Sequence, residues 1–525
     1  MLLLPALLLF PSLALALPAP STTPAAAADE VKSLPGWSGA LPSKHYSGYI
    51  LAAGNTKQLH YYLQEADTDA ASKPVVLWLN GGPGATSLIG AFTELGQLVF
   101  NRDSAAAGAA AQAAAPTLFR NPLSWTTSAN VLYLENPAGV GFSRCVDPES
   151  KCTSNDTSAA LDGHEVLVGF FTRFPQFKTS KFFLTGESYA GVYIPMLLDE
   201  IYKQGVITNV AGAAIGNGCW GTGPGTNCGD VTGHSGSVKK IDVEYWLGRG
   251  LISAGLAKAA NLACDEPVAG AWADPLSKRC LAAYKKLSTA LGPMNIDNVD
   301  SFCRSSPGSL ATLQEHRDVR RLHGNSSHRD PTTGLWRPNK GASGAASDDA
   351  SADTAAAALP IGAVQMWCGA EAALNTWMAL PEVATALHVV AGPHAFEYNI
   401  QVMDLAPLYT SLSQRKDLTF VIYNGQADAN VPYNGQVNLW AKKARVVEDW
   451  APWFRGPYIN GTTFPTNAAS APAAGHYQSY RSDKSDGNSS LFHFVLVSGA
   501  GHEVPLYRPT AALWMLRSFV LEEQH

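Results

Sequence analysis

The run Thr185-Gly186-Glu187-Ser188-Tyr189-Ala190-Gly191 follows the apolar stretch Phe182 to Leu184 and leads into a stretch with helical spacing. A serine flanked by small residues at such a strand-to-helix turn can expose its hydroxyl at a strained elbow. That hydroxyl is a weak nucleophile until a base removes its proton. His502, in Ser498-Gly499-Ala500-Gly501-His502-Glu503-Val504-Pro505, follows the apolar run Phe492 to Val497. Asp428 follows Leu418 to Tyr423. A carboxylate can fix the tautomer of a histidine that takes the serine proton and later returns it to a leaving group. A lone serine at this position reads equally well as a helix cap; the three residues together carry the chemistry.

Acyl transfer also needs N–H donors for an oxyanion. The elbow supplies the N–H of Tyr189. Asn80-Gly81-Gly82-Pro83-Gly84, after the apolar run Val75 to Leu79, supplies a second, assigned to Gly82, because glycine lets main-chain N–H groups approach a substrate closely.

These residues need elements to place them. Tyr49 to Ala53, Gln58 to Leu63, Val75 to Leu79, Val131 to Leu134, Phe182 to Leu184, Ala211 to Ile215, Leu418 to Tyr423 and Phe492 to Val497 read as strands. Leu161 to Phe174, Tyr189 to Tyr202 and Pro509 to Leu521 read as helices. Alternating strands and helices predict a mostly parallel central sheet with helices on both faces. The order Ser188, Asp428, His502 predicts the α/β-hydrolase fold, with the three residues beyond strand ends. Residues 37–218 and 362–525 read as two parts of one core. Residues 219–361, Gly-rich, cysteine-bearing and irregular, read as an inserted cap with a low-complexity linker at Gly341 to Ala358. The alanine-rich run Ser104 to Pro116 reads as a surface loop.

Met1 to Ala28 carries no charge, and residues 1–19 read as a secretory signal peptide. Eight cysteines and four Asn-x-Ser/Thr sequons, at Asn155, Asn325, Asn460 and Asn488, fit a secretory route. A formal net charge of −6 with no basic run gives no reason to expect nucleic acid. No mature segment is long and apolar enough to span a bilayer. With no metal motif and no phosphate-binding loop, no cofactor or metal is expected. Possible homodimerisation is left open.

Four segments, Trp78 to Gly84, Glu135 to Ser143, Gly186 to Gly191 and Gly499 to Pro505, resemble the motifs of the serine carboxypeptidase family, in the family's order. The resemblance implies a secreted, vacuolar or lysosomal enzyme that releases C-terminal residues from peptides through an acyl-enzyme. It implies that Asn80, Gly81, Glu94 and Glu187 hold the substrate's terminal carboxylate, the two glutamates sharing a proton in acid. Glu503 resembles the matching residue of the plant type II members, where it lines the pocket for the departing residue. Without the resemblance, Glu94 reads as a helix-face charge. The chain departs from the family at Ala85, where a cysteine is common. The partner region of that cysteine is the one around Cys368. Gln426 likewise replaces a common acidic residue. Cys145 with Cys152, and Cys219 with Cys228, are close enough for local bridges, although eight cysteines allow 105 pairings. Two other readings are an acyltransferase working from sugar esters and a protective binding partner of other hydrolases.

Overall fold

The computed structural model describes residues 23–101, 104, 115–223, 226–228, 236–264, 278–292, 294–301, 370–392, 394–454, 473–482 and 491–522. The expected signal peptide, the sequons at Asn325, Asn460 and Asn488, the linker at Gly341 to Ala358, most of the alanine-rich run and Cys368 lie outside these residues.

Among the described residues, eleven strands lie along one path of a twelve-stranded sheet: β1 (Glu30–Val31), β2 (His45–Ala52), β3 (Lys57–Gln64), β4 (Val75–Leu79), β5 (Asn130–Leu134), β6 (Phe182–Glu187), β7 (Val210–Gly216), β8 (Thr419–Gly425), β9 (Arg445–Phe454), β10 (Ala473–Arg481) and β11 (Phe492–Val497). Their spatial order is β1-β2-β3-β5-β4-β6-β7-β8-β11-β10-β9, and a short strand, Arg144–Cys145, pairs with β3 off this path. The six strands from β5 to β11 in this order are mutually parallel. The flanking strands are antiparallel. The fold is therefore an α/β-hydrolase sheet, parallel at its centre and antiparallel at its edges.

Alternation along the central strands explains the two cores. Val75, Leu77, Leu184, Ile215 and Ile422 face one side and pack with Val166 and Phe170 of α1 (Asp156–Arg173) and Ile194 and Leu197 of α2 (Ala190–Gln204). Val76, Trp78, Phe183, Ala214, Val421 and Val495 face the other side, against Leu374, Trp377, Leu513 and Met515. Side chains that point up and down by turns can feed two layers of helices at once.

Three features correct the sequence reading. The stretch read as irregular contains the helices α3 (Gly236–Gly248), α4 (Ala254–Cys264) and α5 (Lys278–Leu291). They share a small core of Val243, Tyr245, Trp246, Ala257, Ala260, Tyr284 and Leu287. Flanking glycines and cysteines obscured that spacing, and Cys264–Cys280 joins α4 to α5. The hairpin β9–β10 was not foreseen, because charges and Pro452 interrupt β9. The final helix is α-helical only over Pro509–Met515 and continues as a π-helical turn, Leu516–Val520. Cys145–Cys152 and Cys219–Cys228 are bridged.

Candidate active site

Ser188 follows β6 and turns into α2 with φ +61°, a left-handed conformation uncommon outside glycine. Its N–H donates to Gly216 O at 3.0 Å, and its carbonyl accepts from Gly191 N and from Cys219 N at 3.0 and 2.9 Å. The turn is thus clamped by β7 and by the bridged loop that follows it. A Cβ added at Gly186 would meet Leu79 O at 2.2 Å, so the small flank is a packing requirement.

His502 and Asp428 lie beyond the ends of the adjacent parallel strands β11 and β8. His502 Nδ1 stands 2.8 Å from Asp428 Oδ2, and both side chains are buried. The same carboxyl is held on every side. Asn217 Nδ2 donates to Oδ2 at 2.6 Å, while Asn430 N and Val431 N donate to Oδ1 at 2.7 and 3.2 Å. Asn217 escaped the sequence reading, though its Asn-Gly step after β7 marks a tight turn. Its φ is +43°, and its Oδ1 accepts from Gly425 N at 3.0 Å.

The glycine loop after β4 presses on the elbow. A Cβ at Gly81 would lie 2.3 Å from Tyr189 N and 2.7 Å from Ser188 Cβ. This brings the two expected oxyanion segments together. The Tyr189 ring is anchored below: its hydroxyl donates to Asp156 Oδ1 at 2.7 Å, as does that of Tyr398, and Gln401 N and Val402 N donate to Oδ2. Asp156 went unnoticed in the sequence because it sits inside the Asn155 sequon. Asn155 caps α1, its Oδ1 accepting from Ser158 N at 2.8 Å.

Asn80, Glu94 and Glu187 meet in one buried cluster. Glu94 ends a π-helical turn, Gly90–Glu94, and is buried rather than a helix-face charge. Asn80 Oδ1 accepts from Trp78 Nε1 and Gly90 N, at 2.8 and 3.0 Å. The amide is therefore fixed with Nδ2 toward the carboxyls, donating to Glu94 Oε1 at 3.1 Å and Glu187 Oε1 at 2.8 Å. Oε2 of each glutamate is buried without a hydrogen-bond partner. Burial pushes Glu94 up to about 7 despite the Asn80 bond. Burial and then the charge of Glu94 hold Glu187 well above the usual carboxyl range.

Burial depresses His502, but Asp428, Glu503 and Asp297 outweigh it and push the imidazole up to about 10. Glu503 and Asp297 are themselves raised, chiefly by burial. Each proton they take weakens their hold on the imidazolium, so acid relieves part of the pressure against a neutral base.

The serine carboxypeptidase family model matches residues 35–522. The chain belongs to the serine carboxypeptidase family. Membership makes it a serine-type carboxypeptidase hydrolase. It is 28% identical to serine carboxypeptidase-like 21 of Arabidopsis thaliana over 94% of each chain. It is 29% identical to serine carboxypeptidase 1 of Hordeum vulgare over 92% of this chain and 90% of that one. A shorter match, 45% identical over 36% of this chain and 37% of the other, is to the lysosomal protective protein of Mus musculus. The family's fold is seen in the crystal structure of Kex1(Δ)p, a prohormone-processing carboxypeptidase from Saccharomyces cerevisiae. It superposes with a TM-score of 0.63 at 18% identity, over 95% of this chain and 97% of that one. Among the described residues no helix is long and apolar enough to cross a membrane.

Proposed function

We propose that the protein removes single residues from peptide C-termini in an acidic compartment of the secretory pathway. Ser188 attacks the last peptide bond while His502 takes its proton, and the N–H groups of Tyr189 and Gly82 receive the oxyanion. His502 then protonates the departing amino acid and activates the water that frees the acyl group, with Asp428 orienting the ring throughout. Glu503 lines the pocket for the departing residue, which tolerates C-terminal Lys or Arg besides apolar residues.

The observation that carries this reading is the Asn80 cluster. Two buried carboxyls that hold their protons above the usual carboxyl range, each with an unpartnered oxygen, can donate to a peptide's terminal carboxylate; once ionised, they repel it. An enzyme with no terminal carboxylate to hold has no use for such a pair. The sign follows: both carboxyls are raised, so the binding-competent proton is present in acid and is lost as pH climbs through their raised values, about 7 for Glu94.

The test measures release from blocked dipeptides and from their C-terminal amides between about pH 4 and 8, a range spanning carboxyl and imidazole titration. Wild type and Ser188→Ala are compared. KM should climb with pH for the free carboxylate and stay nearly flat for the amide, and Ser188→Ala should release nothing. Acyl transfer from a glucose ester by a protein inert toward every dipeptide would overturn the peptidase reading in favour of an acyltransferase.

A further inference from the structure

Asp428 and His502 lie on loops far apart in sequence, and one short segment between the helices and β8 touches both. Ile296 O accepts from Ala429 N at 2.8 Å, and Val299 N donates to Ala427 O at 2.9 Å. Between them Asp297 reaches in two directions: its carbonyl accepts from His502 N at 2.7 Å, and its Oδ1 accepts from Asn430 Nδ2 at 3.1 Å. The fit is close. A Cβ at Gly501, next to the histidine, would stand 2.2 Å from Asp297 O and 2.7 Å from Asn298 Cβ. The segment is tied to the helices as well. Arg249, following α3, pairs with Asp300 at 2.5 Å, Tyr245 OH donates to Gln426 O at 2.9 Å, and Ala429 packs into the core of α3 to α5.

We propose that Asp297 is a positioning residue for the reaction, joining the loop of the carboxylate Asp428 to the loop of the base His502 and making the α3–α5 region part of the catalytic frame. The inference rests on the assignment of Ser188, Asp428 and His502 made above. Two levers act through one residue. The hydrogen bonds fix where the imidazole stands, and the side chain adds a negative charge beside it. The groups facing that side chain are His502, Glu503 and Tyr507 on the last loop and its short helix, Asp428 and Asn430 on the β8 loop, and Glu371 on the helix Ala370–Met378. Burial pushes the Asp297 carboxyl up, while the imidazolium of His502 favours its charge.

Asp297→Asn keeps an oxygen for Asn430 and removes the charge. Asp297→Ala removes both. For Asn, the acid limb of kcat/KM should move to lower pH by roughly half a unit to one unit, because one anion leaves the imidazolium's surroundings. For Ala, kcat should fall by about tenfold with KM nearly unchanged, because the Asn430 tether is lost. Asn430→Ala combined with Asp297→Ala should be no worse than Asp297→Ala alone. Wild-type profiles in both variants, or a raised KM with intact kcat, would overturn the proposal. If Asp297→Ala does not fold, the acid limb of Asp297→Asn decides alone. Ser188→Ala in the same assay separates the two levels: residual release there sinks the triad assignment, whereas a dead Ser188→Ala beside wild-type Asp297 variants sinks only the role of Asp297.

Discussion

Asn217 Nδ2 lies 2.6 Å from Asp428 Oδ2, the oxygen that also faces His502 Nδ1. One carboxyl oxygen is thus shared between a fixed amide and the ring it orients. Asn217→Gly tolerates the positive φ and deletes the amide with both its bonds, to Asp428 and from Gly425 N, without adding backbone strain. A lost bond to a charged group is worth about 1.5–3 kcal/mol. We expect kcat to fall by roughly ten- to a hundredfold with KM within about twofold. Steady-state kinetics on one dipeptide checks this, and an unchanged kcat would show that Asp428 holds His502 without help.

Gly81→Ala places a methyl 2.3 Å from Tyr189 N. Either the glycine loop or the elbow must retreat, and the two oxyanion segments separate. Loss of one such donor costs about 10²–10³ in turnover. The variant should keep its circular dichroism and lose activity on that scale. Near-normal turnover would mean that the oxyanion is received elsewhere.

Asp156 accepts from four donors, two hydroxyls and two main-chain N–H groups. Asp156→Asn replaces one acceptor oxygen by a donor that faces other donors. Roughly 2–4 kcal/mol of stability should be lost, read as a lower midpoint in urea. Because Tyr189 is one of the four partners, kcat should fall too. A variant as stable as wild type would show that this carboxyl is dispensable.

Stability should respond to pH from both ends. His45, buried with Tyr62 OH at 2.7 Å and Gln97 Oε1 at 2.6 Å, is lowered to about 4 by burial. Unfolding restores a pKa near 6.5, so its stabilisation is complete above that value and drains away as pH falls toward 4. The total is roughly 3 kcal/mol. Glu94 and Glu187 have the opposite sign: being raised, they stabilise most in acid and lose that contribution as pH rises toward 7 and beyond. Thermal midpoints should therefore peak in mildly acidic solution. His45→Gln should flatten the acid side of that curve and leave the other side alone; an unaltered acid side would exclude His45 as its cause.

The turn at Ser188 and the placing of Asp428 and His502 beyond strand ends were legible in the sequence because each residue follows an apolar strand, a signal confined to a few neighbouring residues. The central strands were legible for the same reason, by their apolar runs. The meeting of Asn80, Glu94 and Glu187 was legible only through the family resemblance, since nothing local says that a glutamate after a loop will be buried beside another. Asn217, Asp156 and Asp297 were not seen at all. Each acts on a partner distant in sequence, and a polar residue's burial depends on what the rest of the chain lays over it. Helices α3 to α5 were missed because their apolar positions are spread thinly among alanines, glycines and lysines.

The strand order has a consequence for the life of the chain during synthesis. Everything from the glycine loop through the Ser188 elbow to Asn217 belongs to the first half of the sequence, and β4, β6 and β7 are neighbours in the sheet. His502 follows β11, the last strand in sequence, and β11 must slot between β8 and β10 before His502 meets Asp428. A ribosome emits Ser188 long before it emits His502. On the proposed mechanism, a chain that still lacks β11 holds Ser188 but no His502 to take its proton, so hydrolysis waits for the last strand of the sheet.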